Sequence, residues 1–186
     1  MERPQLQRVL ADDYLDGLDA WPTADVRAAR AACEAEEEAV SYARRLTQGR
    51  LDILRDELER RHAGDGDGRG GDHRAGDVLA RLPAILAADQ PPSDPARARA
   101  TRLRVPAGAE AYEAEIEALV GEGFLGDLPG RSTDEVADAV ERLAAYEHEL
   151  STARRRLFER IDRLRDELAR RYKDGSAAVR DLFGDT

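Results

Sequence analysis

The stretch Glu37-Glu38-Ala39-Val40-Ser41-Tyr42-Ala43-Arg44-Arg45-Leu46-Thr47-Gln48-Gly49-Arg50-Leu51-Asp52 carries two interleaved patterns. Five polar residues, Glu37, Ser41, Arg44, Gln48 and Asp52, follow one another at steps of four, three, four and four. At ~100° per residue they fall within an arc of roughly 80° on a helix. Val40, Ala43, Thr47 and Leu51, continued by Leu54 and Leu58, are spaced three, four, four, three and four. That is the spacing of a coiled-coil seam. The seam is centred about 100° from the polar stripe, so the stripe flanks the seam.

Both patterns return in the second half of the chain, at the offset that carries Glu37 to Glu147. The second stripe is Glu147, Ser151, Arg154, Phe158 and Asp162, and the second seam is Leu150, Ala153, Leu157, Ile161, Leu164 and Leu168. Residues 37–62 and 147–172 align without a gap, and 14 of the 26 positions are identical. The match includes Arg44-Arg45 with Arg154-Arg155 and Arg55-Asp56-Glu57-Leu58 with Arg165-Asp166-Glu167-Leu168. Duplication explains this better than shared helical composition does. Two equal long helices in one chain are expected to pair as an antiparallel hairpin. The connection, residues 63–131, is long enough to permit a parallel pair as well.

Composition agrees with an all-α chain. Of 186 residues, 37% are charged and only 5% aromatic, which suits long helices burying one narrow seam. Residues that favour strands never cluster, so a sheet is not expected. The net charge of −10 argues against free nucleic acid as a partner, because phosphate contact needs a basic face. A basic protein surface is the more natural partner. The basic side chains are arginines apart from Lys173, and arginine offers a planar fork where lysine offers a point charge. Codon bias is the simpler explanation of the arginine preference and the favoured one. A lone cysteine, Cys33, rules out an internal disulfide. No apolar run approaches the ~20 residues that span a bilayer. The Met-Glu-Arg-Pro start lacks the layout of a signal peptide, so a cytoplasmic location is expected.

A single helical domain over 1–186 is expected, with five segments. Residues 4–21 read as a short amphipathic helix with Leu6, Val9, Leu10, Tyr14, Leu18 and Trp21, broken near Gly17 and ended by Pro22. It either folds back onto the long helices or serves a partner as a docking helix. Residues 23–62 form the first long helix, with Thr23 expected as its cap. Residues 63–131 form the connection. It contains a Gly/Asp linker over 64–76, a short helix over 78–88, an irregular 89–108, a helix over 112–120 and a loop over 121–131. Residues 132–173 form the second long helix, opened by Ser132 and Glu135 as a capping box. Residues 174–186 are a tail in which Val179, Leu182 and Phe183 offer apolar contacts.

The chain offers little for catalysis. His62, His73 and His148 have no His or Cys neighbours at ligand spacing. Asp65, Asp67 and Asp72 lack the rest of a calcium loop. Cys33 sits among alanines and glutamates and reads as a small buried residue. Neither an enzyme nor a metal site is expected.

The stripes suit a guanine nucleotide. A carboxylate accepts hydrogen bonds from the N1 and N2 protons of guanine, and an arginine fork fits O6 and N7 or a phosphate. Ser and Gln serve phosphate or ribose oxygens. The doubling suits a ligand with two guanines, or a pair of such ligands. Flanking positions of a coiled coil commonly hold ion pairs across the interface. Ser and Gln are poor choices for that task.

The pattern Glu-x3-Ser-x2-Arg-x3-Gln-x3-Asp, twice, on two long helices, resembles the actinobacterial anti-sigma factor RsiG. The first copy, Glu37, Ser41, Arg44, Gln48 and Asp52, matches in full. The second departs at Phe158, which stands where the pattern asks for Gln. A Phe there stacks on a base or packs on the seam, but it supplies no amide. The resemblance implies that all ten stripe residues bind cyclic di-GMP, as a pair of nucleotides held against the coiled coil. It further implies that the loaded form holds a sigma factor of the flagellar and sporulation type away from RNA polymerase. The acidic charge agrees with docking on basic, DNA-facing surfaces of such a partner. It implies no direct DNA or membrane contact, no catalysis and no metal. The alternative is a structural or adaptor coiled coil whose stripes are interhelical ion pairs and which binds no nucleotide.

Overall fold

The computed structural model describes residues 3–66 and 105–175. The helix expected over 78–88, most of the Gly/Asp linker and the tail residues Val179, Leu182 and Phe183 lie outside them. Among the described residues the chain is all-helical, and its two long helices pack against each other. In order come α1 (Pro4–Leu10), a 3-10 turn (Leu18–Ala20), α2 (Thr23–Gly66), α3 (Ala109–Val120), a second 3-10 turn (Leu128–Gly130) and α4 (Thr133–Lys173). The chain divides into two compact units. The first takes residues up to Ser41 and from Leu150 onward, and the second takes Tyr42–Glu149.

In the first unit the N-terminal half of α2 runs antiparallel to the C-terminal half of α4. Arg27 meets the Tyr172 hydroxyl near one end, and Glu37 meets Arg154 near the other. The core holds Val26, Ala29, Cys33 and Val40 of α2 with Leu150, Leu157, Leu164 and Leu168 of α4, all buried. These residues keep the three-four spacing of the seam, which therefore starts well before Val40. Ala153 and Ile161 are half-buried. Leu6 and Val9 of α1 and Leu15 of the following turn complete the core.

The helix expected over 4–21 stops at Leu10, and turns occupy most of the remainder. Gly17 adopts a left-handed conformation that a side chain would resist. The carbonyls freed at the end of α1 are met by arginines of α4. Arg156 donates to the Leu10 carbonyl at 2.7 Å and Arg160 to that of Ala11 at 2.6 Å. Trp21 donates its indole N–H to the Asp16 carbonyl and meets Tyr14 edge-on. This segment thus folds back onto its own unit. Thr23 does not cap α2 but is its first residue, and the Pro22 carbonyl accepts the Asp25 and Val26 amides.

The second unit repeats the arrangement with the other halves of the same helices. Ala43, Thr47, Leu51 and Leu54 of α2 are buried with Val136, Ala139, Leu143 and Tyr146 of α4. Leu58 is half-buried. The direction is again antiparallel, because Arg61 reaches the Arg131 carbonyl and Arg44 reaches Glu147. α3 docks through buried Ala109, Tyr112, Ile116 and Val120. Tyr42 donates to Glu113, Tyr146 to Glu115, and Arg50 to Glu117, each at 2.6 Å. The bond to Glu113 raises the pKa of the Tyr42 hydroxyl. Phe124 and Leu128 of the intervening turn are buried. The capping box forms as its residues predict. Ser132 Oγ accepts the Glu135 amide, and the Glu135 carboxylate accepts the Ser132 amide.

An arginine clasp closes each unit. Arg171 donates to the carbonyls of Trp21 and Leu18 at 2.6 and 2.8 Å. Arg61 donates to the carbonyls of Arg131 and Leu128 at 2.7 and 2.8 Å. Each clasp is steadied by a carboxylate one helical turn earlier, Glu167 for Arg171 and Glu57 for Arg61, at 2.6 Å. The bonds from Arg170 and Arg171 hold the Glu167 carboxyl down to about 2. Burial pushes Glu57 up, but the bonds from Arg60 and Arg61 outweigh it and its pKa is lowered.

Candidate functional site

The two stripes lie on α2 and α4, and the division into units regroups them. The first unit takes Glu37 and Ser41 from α2 with Ser151, Arg154, Phe158 and Asp162 from α4. The second takes Arg44, Gln48 and Asp52 from α2 with Glu147 from α4. The Glu end of each stripe therefore joins the Arg end of the other. Antiparallel pairing produces this exchange, which no reading of one helix alone could give.

In the first unit Arg154 Nε donates to Glu37 Oε1 at 3.1 Å and to Ser41 Oγ at 2.8 Å. The Ser41 hydroxyl in turn donates to Glu37 Oε1 at 2.5 Å. Ser41 is buried, whereas Glu37 and Arg154 are partly open to solvent. The Arg154 guanidinium lies over the Phe158 ring, 4.8 Å from its centroid. Phe158 is off the seam and 40% exposed. Asp162 is exposed and pairs with Arg165 at 2.7 Å. Ser151 is half-buried.

In the second unit Glu147 Oε1 accepts from Arg44 Nη1 at 3.3 Å and from Gln48 Nε2 at 3.4 Å. These are long bonds, and the buried Nε of Arg44 has no partner among the described residues. Asp52 is half-buried and has no hydrogen bond or ion pair among the described residues. Six of the ten stripe residues thus meet across the helix pairs, Glu37, Ser41 and Arg154 in the first unit and Arg44, Gln48 and Glu147 in the second, with a carboxylate facing an arginine in each.

An open groove of about 480 Å³ lies in the first unit, lined by Arg27, Arg30, Glu34, Arg165, Leu168 and Tyr172. None of the stripe residues lines it. No sequence pattern singles out Arg27 and Arg30, whose positions in the second repeat are Ala137 and Val140. Cys33 is buried, and burial raises its pKa to about 11. No group of His, Cys, Asp and Glu among the described residues could hold a metal ion. No helix among them is long and apolar enough to cross a membrane.

A model of the RsiG-like family matches residues 12–86 and 122–184, most of the chain. The chain belongs to the RsiG-like family. The two matched spans begin at 12 and 122, the same offset as from Glu37 to Glu147, and each contains one whole stripe. No curated protein matches the chain. Membership in the RsiG-like family suggests an anti-sigma factor role and a sigma factor partner, hints at regulation by a nucleotide, and does not point to an enzyme.

Proposed function

We propose that this RsiG-like chain is a cyclic di-GMP-responsive anti-sigma factor. In this reading the stripe residues hold a pair of cyclic di-GMP molecules against the helices. The loaded protein sequesters a sigma factor of the flagellar and sporulation type, blocks its use by RNA polymerase and so governs differentiation. It acts by binding, in the cytoplasm, without catalysis, metal or direct contact to DNA or membrane. The supporting observation is the doubled set of Glu, Ser, Arg and Asp, brought to the edges of the seam with its arginines incompletely paired. Among the described residues Arg44 Nε lacks a partner and Asp52 has none, so both have hydrogen-bonding capacity to offer a ligand. Glu37 and Glu147 carry the carboxylates that fit guanine N1 and N2.

The pairs Glu37–Arg154 and Glu147–Arg44 link the two long helices, and they support the second reading, a coiled coil whose stripes only hold its helices in register. Calorimetric titration with cyclic di-GMP separates the two, alone and with the candidate sigma factor. The proposal expects binding that tightens when the sigma factor is present, because coupling between two ligands is reciprocal. Absence of heat under both conditions would leave the structural reading standing.

A further inference from the structure

Phe158 marks where the second stripe departs from the first, and the structure places its ring where a core residue would not be. Its neighbours on the seam, Leu157 and Leu164, are fully buried, while Phe158 is 40% exposed. The ring is not idle at that surface. Arg154 lies over it, and the two bonds from Arg154 Nε to Glu37 and Ser41 fix where the guanidinium can go. The Nη groups of Arg154 have no acceptor among the described residues. An aromatic ring, a positioned donor fork and a carboxylate therefore converge in the first unit.

The equivalent place in the second unit has different chemistry. Gln48 stands at the position of Phe158 and donates its amide to Glu147, as does Arg44 its guanidinium. A flat, electron-rich ring accepts a stacked base of any identity, whereas an amide offers only directional hydrogen bonds. The two clusters share the carboxylate and arginine but differ in how they would hold the face of a base.

We infer that Phe158 is a stacking platform for a guanine base in the first unit, so that the two nucleotides of the proposed pair are held unequally. This rests on the nucleotide reading above. Stacking on Phe158 supplies affinity in one cluster, Glu37 supplies the preference for guanine there, and Gln48 supplies an amide in the other cluster.

The test is titration of the full chain with cyclic di-GMP, with and without the candidate sigma factor, for the natural sequence, Phe158→Ala, Phe158→Tyr and Phe158→Gln. The natural chain should show two classes of binding event. Phe158→Ala should weaken one class about tenfold or more and leave the other unchanged. Phe158→Tyr should retain both, and Phe158→Gln should bring the two classes together. Helix content should not move, since the ring is exposed. Phe158→Trp gives a second readout, because its emission should be quenched when guanine stacks on it, over a constant background from Trp21. If the natural chain binds and Phe158→Ala binds equally well in both classes, the platform is overturned and the nucleotide reading survives. If the natural chain binds no cyclic di-GMP under either condition, both fall together.

Discussion

Arg61 and Arg171 occupy equivalent positions of the internal repeat and make the same contacts, each in its own unit. Each guanidinium spans two carbonyls of one turn, Leu128 and Arg131 for Arg61, Leu18 and Trp21 for Arg171. Arg171 is buried and Arg61 nearly so. Replacing either by alanine leaves two carbonyls without their donor, and leaves the carboxylate to the neighbouring arginine alone, Arg60 for Glu57 and Arg170 for Glu167. We expect a loss of about 3 kcal/mol for Arg171→Ala, as for a broken buried charge network. In a chain of this size that lowers the melting temperature by on the order of 10 °C. Thermal unfolding followed by circular dichroism checks it, and a shift below a degree or two would mean the clasp is incidental.

Acid should loosen the first unit through Glu167. Its carboxyl has a pKa of about 2 in the folded chain against an ordinary 4.5. A depressed folded value means the stabilisation is full above the ordinary value and fades as pH falls from about 4.5 toward 2. Glu57 is shifted in the same direction. Urea unfolding across pH 6 to 2 should show stability falling in that window, with a shallower fall for Glu167→Gln. Equal slopes for the two proteins would remove Glu167 from the account.

Arg44→Ala and Asp52→Ala should each abolish cyclic di-GMP binding if the stripes are a ligand site. Arg44 makes one long ion pair and Asp52 makes none among the described residues, so neither change removes much that holds the fold. Far-UV circular dichroism should therefore be nearly unchanged. Normal nucleotide binding by either variant would return that residue to a structural role.

Cyclic di-AMP should not substitute for cyclic di-GMP, and neither should GMP. Adenine presents an acceptor at N1 where the carboxylates of Glu37 and Glu147 need a proton. Equal heats for the adenine and guanine dinucleotides would refute guanine recognition.

Cys33 should resist alkylation in the folded protein. Its thiol is fully buried, and its pKa is raised to about 11, so almost no thiolate exists at neutral pH. Mass spectrometry after iodoacetamide treatment at pH 8 should find it unmodified natively and modified in urea. Rapid native labelling would mean the core around Cys33 opens far more often than its packing implies.

The two long helices were legible because nothing interrupts them. No proline occurs between Thr23 and Gly66 or between Thr133 and Lys173, and the seam keeps its spacing in both. The capping box at Ser132 was equally plain, since it depends on two residues one turn apart. The antiparallel pairing of these helices was expected as well, and what escaped were the particular contacts made across it. Glu57, Arg61, Glu167 and Arg171 look like ordinary surface charge on a helical wheel, yet they occupy or border seam positions, and the two arginines bond across it. The regrouping of the stripes needed the antiparallel register. The early end of α1 at Leu10 was hidden because Tyr14 and Leu18 prolong an apolar spacing that turns then use for packing.

Carbonyl oxygens are the same for every amino acid, and the two clasps grip the turns they hold chiefly through them. Mutation can therefore rewrite the turn side chains without touching the grip, and the duplicated copies have drifted accordingly. Asp19, Ala20 and Trp21 in one turn stand where Pro129, Gly130 and Arg131 stand in the other. The scaffold is heritable through a few arginines, while the outward face of each turn is left free for selection to specialise.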